Sequence, residues 1–293
     1  MTSAESILRS LFISVFPLAA VWLLMYGIFQ IFEHGFSLVL LGMLMVSTII
    51  VVLFAGLFIR PRARTDAKLK LHSIGIAFGM LICLVALFLE KTHPAEIMPA
   101  LILGIGWIFY LSWYSLFADR TNEVLKVGNQ LKELQLENAK KEQISTASFL
   151  GNPSIYIFFR GNWCPLCMAQ IKEIAGHYTT LEKLGVHTVL ISPQPHKQTE
   201  KLSLKFRLNF HFLVDRKNKA AKQLGIFAEN GIPAGFQVLG YDSDTVMPTV
   251  VITDEKGKII FADLTDNYRI RPEPDVFLKI IRQTIRQPHL PNS

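Results

Sequence analysis

The segment Arg160-Gly161-Asn162-Trp163-Cys164-Pro165-Leu166-Cys167 sets two thiols three positions apart. It follows the apolar run Ile155-Tyr156-Ile157-Phe158-Phe159, which reads as a strand, and it opens a helical pattern. A cysteine at such a junction lies at or just before a helix N-terminus. There the unpaired backbone N–H groups and the helix dipole favour the thiolate, which is the reactive form. Cys164 is therefore the candidate nucleophile. Cys167, one turn on, is suited to resolve a sulfenic acid or mixed disulfide formed at Cys164 by closing an internal disulfide.

Arg160 precedes the pair and is a candidate for stabilising a thiolate or an anionic leaving group. An ion pair at the domain edge is its plainer role. Pro165 fits a first helical turn, where its missing N–H costs nothing, and between the cysteines it also tunes their spacing and potential. Trp163 either supports the active-site turn or belongs to the core. Metal binding by the pair is the rival chemistry. A structural zinc site needs four ligands, and no second CxxC or His-x₃₋₅-His follows; His177 and His187 stand apart. No metal and no other cofactor is expected.

The elements that must hold this motif alternate from Ser154 onward. Ser154–Phe159 is strand-like, Met168–Leu184 carries apolar residues at helical spacing, and Val186–Ile191 is a second strand. Gln198–Leu208 reads as a helix, His211–Val214 as a strand and Lys217–Leu224 as a helix. Thr249–Thr253 and Lys258–Ala262 form a hairpin around Asp254-Glu255-Lys256-Gly257, and Asp275–Arg286 closes as a helix. This order implies an α/β domain with a central mixed sheet covered by helices. Glu229–Val246 is long, Gly-rich and aperiodic, as a lid over a site would be.

The first part of the chain has another character. Leu11–Phe32, Phe36–Ile59, Leu71–Leu89 and Ile97–Ala118 contain no Asp, Glu, Lys or Arg. Each is long enough to cross a hydrocarbon layer of about 30 Å. Four transmembrane helices are expected over residues 1–118, a helical linker or short coiled-coil stalk over 119–148, and the redox domain over 149–290. Val124, Val127, Leu131 and Leu134 follow an a/d spacing for two heptads, which leaves a solvated linker and a homodimer through residues 120–140 both open. Arg60, Arg62, Arg64, Lys68 and Lys70 fill the second loop, Arg9 precedes the first span, and Arg120 and Lys126 follow the fourth. The first connection has no Lys or Arg and the third only Lys91. By the positive-inside rule both termini and the dithiol face the cytosol across an inner membrane. Three cysteines in 293 residues make no disulfide scaffold, which suits a reducing compartment. The net charge of +7 follows from these loops and surface lysines, and no basic patch with interleaved aromatics points to nucleic acid.

Trp163-Cys164-Pro165-Leu166-Cys167 after a strand, with Met247-Pro248-Thr249 leading into a later one, resembles the thioredoxin fold. Phe159–Pro165, Ile191-Ser192-Pro193 and the tail Asp266-Asn267-Tyr268-Arg269 with Arg271-Pro272-Glu273-Pro274 are similar to the AhpC/TSA (peroxiredoxin-like) family over about residues 146–290. The resemblance implies that Cys164 attacks a peroxide, lipid hydroperoxides included, or a disulfide, and that a thioredoxin-like dithiol returns the electrons. It also implies that Pro248 is a cis-proline facing the dithiol, flanked by Met247 and Thr249, with the Met247 backbone open to an extended thiol substrate. The sequence departs from the main peroxiredoxin type at Gly161, where a Thr is usual, and at Val246-Met247, where an Arg is usual. A thiol-disulfide reductase without peroxidase activity, and a redox sensor or tether signalling Cys164–Cys167 oxidation to a partner, are the alternatives. Cys83, alone in mid-span, reads as a small apolar filler, and Gly75, Gly79, Gly104 and Gly106 read as close-packing positions.

Overall fold

The computed structural model describes residues 2–117 and 120–286. The expected boundary at 118 and the last expected domain residues, 287–290, lie outside the described residues. Four helices are long and apolar enough to cross a membrane: α1 (Ser3–His34), α2 (Leu38–Ile59), α3 (Lys70–Leu89) and α4 (Pro94–Phe109), the last extended by a π-helical turn, Tyr110–Tyr114. Their apolar residues lie on the outer surface and in the bundle core alike, the pattern of a helix that is hydrophobic all round. The two central helices touch through glycine. A Cβ on Gly42 would lie 2.5 Å from the Cys83 Sγ and 2.6 Å from the Gly79 carbonyl oxygen, so Cys83 fills the space that Gly42 leaves.

After the bundle come the short strands β1 (Gln135–Glu137) and β2 (Gln143–Ser145), then β3 (Ser154–Phe158), α5 (Pro165–Gly176), α6 (Tyr178–Lys183) and β4 (His187–Ser192). They are followed by α7 (His196–Phe206), β5 (His211–Val214), α8 (Lys219–Gln223), β6 (Phe227–Ala228) and β7 (Thr245–Val246). The domain closes with β8 (Thr249–Thr253), β9 (Ile259–Asp263) and α9 (Pro274–Arg286). The sheet order is β2-β1-β5-β4-β3-β8-β9, with β3, β4 and β5 parallel and the outer pairs antiparallel. This is the expected mixed sheet of a thioredoxin-like α/β domain. Alternation along β3 explains its burial on both faces. Ile155 and Ile157 enter the core that also holds Cys164, Cys167 and Phe277 of α9, while Tyr156 and Phe158 enter the opposite core with Leu213 and Ala221 of α8.

Residues 120–148 correct the helical linker. They fold as turns, the β1–β2 hairpin and a short 3₁₀ turn, Thr146–Phe149, and the hairpin extends the sheet edge beside β5. Gly128-Asn129 and Asn138 supply turn chemistry: Gly128 takes φ +100°, and the Asn138 carboxamide oxygen accepts from the Lys140 and Glu142 amides. Leu125, Leu134 and Leu136 are buried inside the domain. Of the residues at the expected a/d spacing, Leu134 is buried and Val124 and Leu131 pack against the domain core, while Val127 alone of the four stays exposed, so no helical stalk forms here to carry the expected dimer.

The domain seats on the end of the bundle that carries the N-terminus of α1, the α2–α3 loop and the end of α4. Arg269 is fully buried there. It donates to the Ser115 hydroxyl (3.0 Å), the Asp66 and Ala67 carbonyls (2.9 and 2.7 Å) and the Thr65 hydroxyl (3.3 Å), and it lies over the Tyr110 ring. The Tyr110 and Tyr268 hydroxyls pair at 3.0 Å across the same seam.

Candidate active site

Cys164 is the N-cap of α5, with extended backbone (φ −87°, ψ 110°) and no side-chain cap bond, and Pro165 opens the helix. The β3–α5 junction thus sets Cys164 where the sequence expects it. Both cysteines are free thiols and both are buried, Cys164 at 2% exposure and Cys167 at 0%. Their proton inventory differs from the expectation. The hydrogen bond to Cys167 and then burial hold the Cys164 thiol well above the ordinary range. Burial opposes ionisation of Cys167, but the bond from Cys164 and the charge of Arg271 outweigh it and bring that thiol well below. Arg271 and the hydrogen bond from Cys164 thus favour negative charge on Cys167 over Cys164.

Arg271 is the residue that the sequence reading noticed only as part of a tail. Its Nη2 lies 3.5 Å from the Cys167 Sγ, and its Nη1 donates to the Gln170 side chain at 2.6 Å, which aims the guanidinium. Arg160 is the second cation. Its Nη2 donates to the Gly231 carbonyl, its guanidinium sits 4.9 Å from the centre of the Trp163 ring, and its charge reaches both sulfurs. Two guanidinium groups beside a buried dithiol favour the anionic form, as an apolar pocket alone would not. A third side chain comes from the four-helix bundle: Tyr114, at the end of the π-helical turn, faces Arg160 and packs on the core around Cys164.

Trp163 does both jobs expected of it. It carries Arg160 on one side and packs against Phe236 at 5.3 Å on the other, while its indole N–H is buried without a partner. Gly161 has φ +148°, and a Cβ there would lie 2.6 Å from the Trp163 Nε1. A threonine does not fit this backbone, which explains the departure at this position physically.

The Met247-Pro248-Thr249 group is built differently from the expectation. Every peptide bond among the described residues is trans, including the one before Pro248. The Met247 amide donates to the Ile226 carbonyl (2.8 Å), and its own carbonyl accepts from the Thr249 hydroxyl (2.8 Å). Its backbone is therefore engaged and not open to an extended substrate. Arg120 ties this corner down, donating to the Pro248 carbonyl (3.1 Å) and the Thr249 hydroxyl (2.6 Å). Met247 instead turns towards a cavity of about 310 Å³, walled also by Arg9, Tyr114, Phe117, Arg160 and Phe227.

Residues 229–244 form a strap over the motif. Phe236 covers Trp163, and the Tyr241 hydroxyl donates to the Asn162 side chain. The strap is fastened to α1: Ser10 and Ser14 donate to the Ile232 and Ala234 carbonyls at 2.6 and 2.9 Å. Tyr114 had no local sequence signal and Arg271 only its place in the tail motif, because each reaches the thiols through the tertiary fold.

A mixed sheet that delivers a CxxC pair to a helix N-terminus between two arginines defines a thioredoxin-fold dithiol oxidoreductase. Residues 127–262, just under half of the chain, match the AhpC/TSA family. A Haemophilus influenzae protein named as peroxiredoxin bcp is 25% identical over 158 residues, 54% of this chain and 97% of that one. The thiol-disulfide oxidoreductase ResA of Halalkalibacterium halodurans is 21% identical over 166 residues, 56% of this chain and 81% of its own. Among solved structures, AhpC of Enterococcus faecalis superposes with a TM-score of 0.46 at 16% identity, covering 57% of this chain and 97% of that one.

Proposed function

We propose that the chain is a membrane-anchored, thiol-dependent antioxidant oxidoreductase that reduces peroxides, lipid hydroperoxides among them, through Cys164 and Cys167. The observation that carries this reading is the buried Cys164–Cys167 pair with the Arg271 Nη2 3.5 Å from the Cys167 Sγ and Arg160 alongside, where Cys164 becomes the nucleophile once its proton passes to Cys167. Sulfur attack needs a thiolate, and the departing oxygen needs positive charge, and the two guanidinium groups serve both. The Cys164 thiolate attacks the terminal oxygen of ROOH. The O–O bond breaks, an S–O bond forms, and the alkoxide takes up a proton and leaves as ROH. Cys167 then displaces water from the sulfenic acid to close the disulfide, and an external thioredoxin-like dithiol supplies two electrons and two protons to reopen it.

The four long helices support anchoring in a bilayer, and the basic α2–α3 loop on the domain's side of the bundle supports a cytoplasmic redox domain on an inner membrane. Gly161 favours a second reading, a disulfide reductase with no peroxidase activity, because no hydroxyl side chain fits at that position. Turnover of hydrogen peroxide, a phospholipid hydroperoxide and a model disulfide by the full chain in nanodiscs separates the two. Cys164→Ser abolishes turnover of the true substrate; full retained turnover by that variant would sink both readings.

A further inference from the structure

The dithiol is sealed, and the nearest open space belongs to both halves of the chain. The 310 Å³ cavity lies between α1, the end of α4 and the domain, at the small end of the range of small-molecule pockets, about 300–1,000 Å³. Its walls are mixed. Ile13, Phe117, Phe227 and Met247 are apolar, while Arg160, Tyr114, Glu229 and Arg9, itself paired with Glu5 at 2.8 Å, present polar ends. Arg160 and Tyr114 line the cavity, and Tyr114 also packs on the core that holds Cys164.

The cavity also has a neighbour on the bilayer side. A wholly apolar groove of about 600 Å³ runs between α1 and α4, lined by Leu11, Phe12, Val15, Gly106, Phe109 and Trp113. Leu11, Val15 and Phe109 are about half exposed along it, so it faces hydrocarbon in a membrane. One layer separates groove from cavity. Arg9 lies 5.0 Å above the Trp113 ring, and Phe12 meets Trp113 edge-on at 5.8 Å and Tyr114 at a tilt at 6.0 Å. An apolar slot in the bilayer leading to a cationic, hydroxyl-bearing chamber beside a thiol matches one kind of molecule. It has a hydrocarbon tail and an oxygen-rich electrophilic head.

We propose that the seam cavity is the substrate site, that it takes the hydroperoxide-bearing part of an acyl-chain amphiphile whose tail lies in the α1–α4 groove, and that Tyr114 donates a hydrogen bond to the departing alkoxide oxygen. The proposal rests on the peroxide-reducing reading and deepens it. The step is the one written above, with the RO oxygen held by Tyr114 while it takes its proton from water. Tyr114 is then a catalytic residue supplied by the helical bundle, and it brings a hydroxyl that Gly161 does not. The π-helical turn is what brings it there; such turns recur at functional positions within helices.

The test uses the full chain in phospholipid nanodiscs and follows Cys164 oxidation by stopped-flow fluorescence and mass spectrometry. The oxidants are hydrogen peroxide and a linoleoyl hydroperoxide. Tyr114→Phe removes only the hydroxyl, and Ala228→Phe fills the cavity from β6. Each variant is expected to lower the ratio of the acyl-hydroperoxide rate to the hydrogen-peroxide rate at least tenfold. A ratio unmoved in both variants overturns the seam site while leaving the peroxide reading intact. Wild-type protein whose Cys164 reacts with neither oxidant overturns the peroxide reading and the site with it.

Discussion

Replacing Arg269 by methionine should loosen the redox domain from its membrane platform while leaving both parts folded. The guanidinium donates four hydrogen bonds to groups of the α2–α3 loop and the end of α4. Bonds from a charged donor contribute about 1.5–3 kcal/mol each. Burying an unpaired guanidinium costs several kcal/mol in return, so the net contribution is about 3–5 kcal/mol. Methionine keeps the length and apolar stem but leaves the Asp66 and Ala67 carbonyls unsatisfied. Hydrogen exchange in nanodiscs reads the effect directly. The Thr65 amide, bonded to the Arg269 carbonyl, and the Tyr268 amide, bonded to the Ser115 carbonyl, both lie in the seam. Their protection should fall by about 3–5 kcal/mol, with mid-bundle amides near Cys83 unchanged. A loss below about 1 kcal/mol at the seam, or an equal loss throughout the bundle, would refute the reasoning.

Two further outcomes follow from the site. Arg271→Met removes the positive charge that steadies the Cys167 thiolate, so the pair should ionise at higher pH. The pH midpoint for iodoacetamide alkylation then moves up and the rate at neutral pH falls; a midpoint that stays in place would count against Arg271 as the partner of the thiolate. Gly161→Thr, which restores the usual peroxiredoxin residue, should lower the thermal midpoint and not raise activity. It forces a side chain into φ +148° and onto the Trp163 ring, a strain of about 1–3 kcal/mol before the clash is counted, and an unchanged midpoint would contradict that.

The parts of this molecule that were legible in the sequence are those written in neighbouring residues. The apolar runs announce the four helices, and the strand–CxxC–helix junction puts Cys164 at an N-cap, because both signals are local. The stalk expected over 119–148 shows how such signals mislead. Leu131 and Leu134 fit a heptad, yet Leu134 and Leu136 also fit a strand, and the neighbouring sheet edge decides for the strand by burying both. The electrostatics of the site were not legible for a different reason. Arg271 meets Cys167 across 104 residues of chain, and Tyr114 arrives from a helix that the sequence assigns to lipid. The Met247 backbone looked free because nothing in its own segment shows that Ile226 and Thr249 occupy it.

The strap that covers the dithiol is hydrogen-bonded to Ser10 and Ser14, one turn apart on α1. A transmembrane helix adjusts its tilt to the thickness of the lipid around it, at fractions of a kcal/mol per ångström of mismatch. If α1 spans a bilayer as proposed, a change in its tilt would act through those two serines on the strap that covers Cys164.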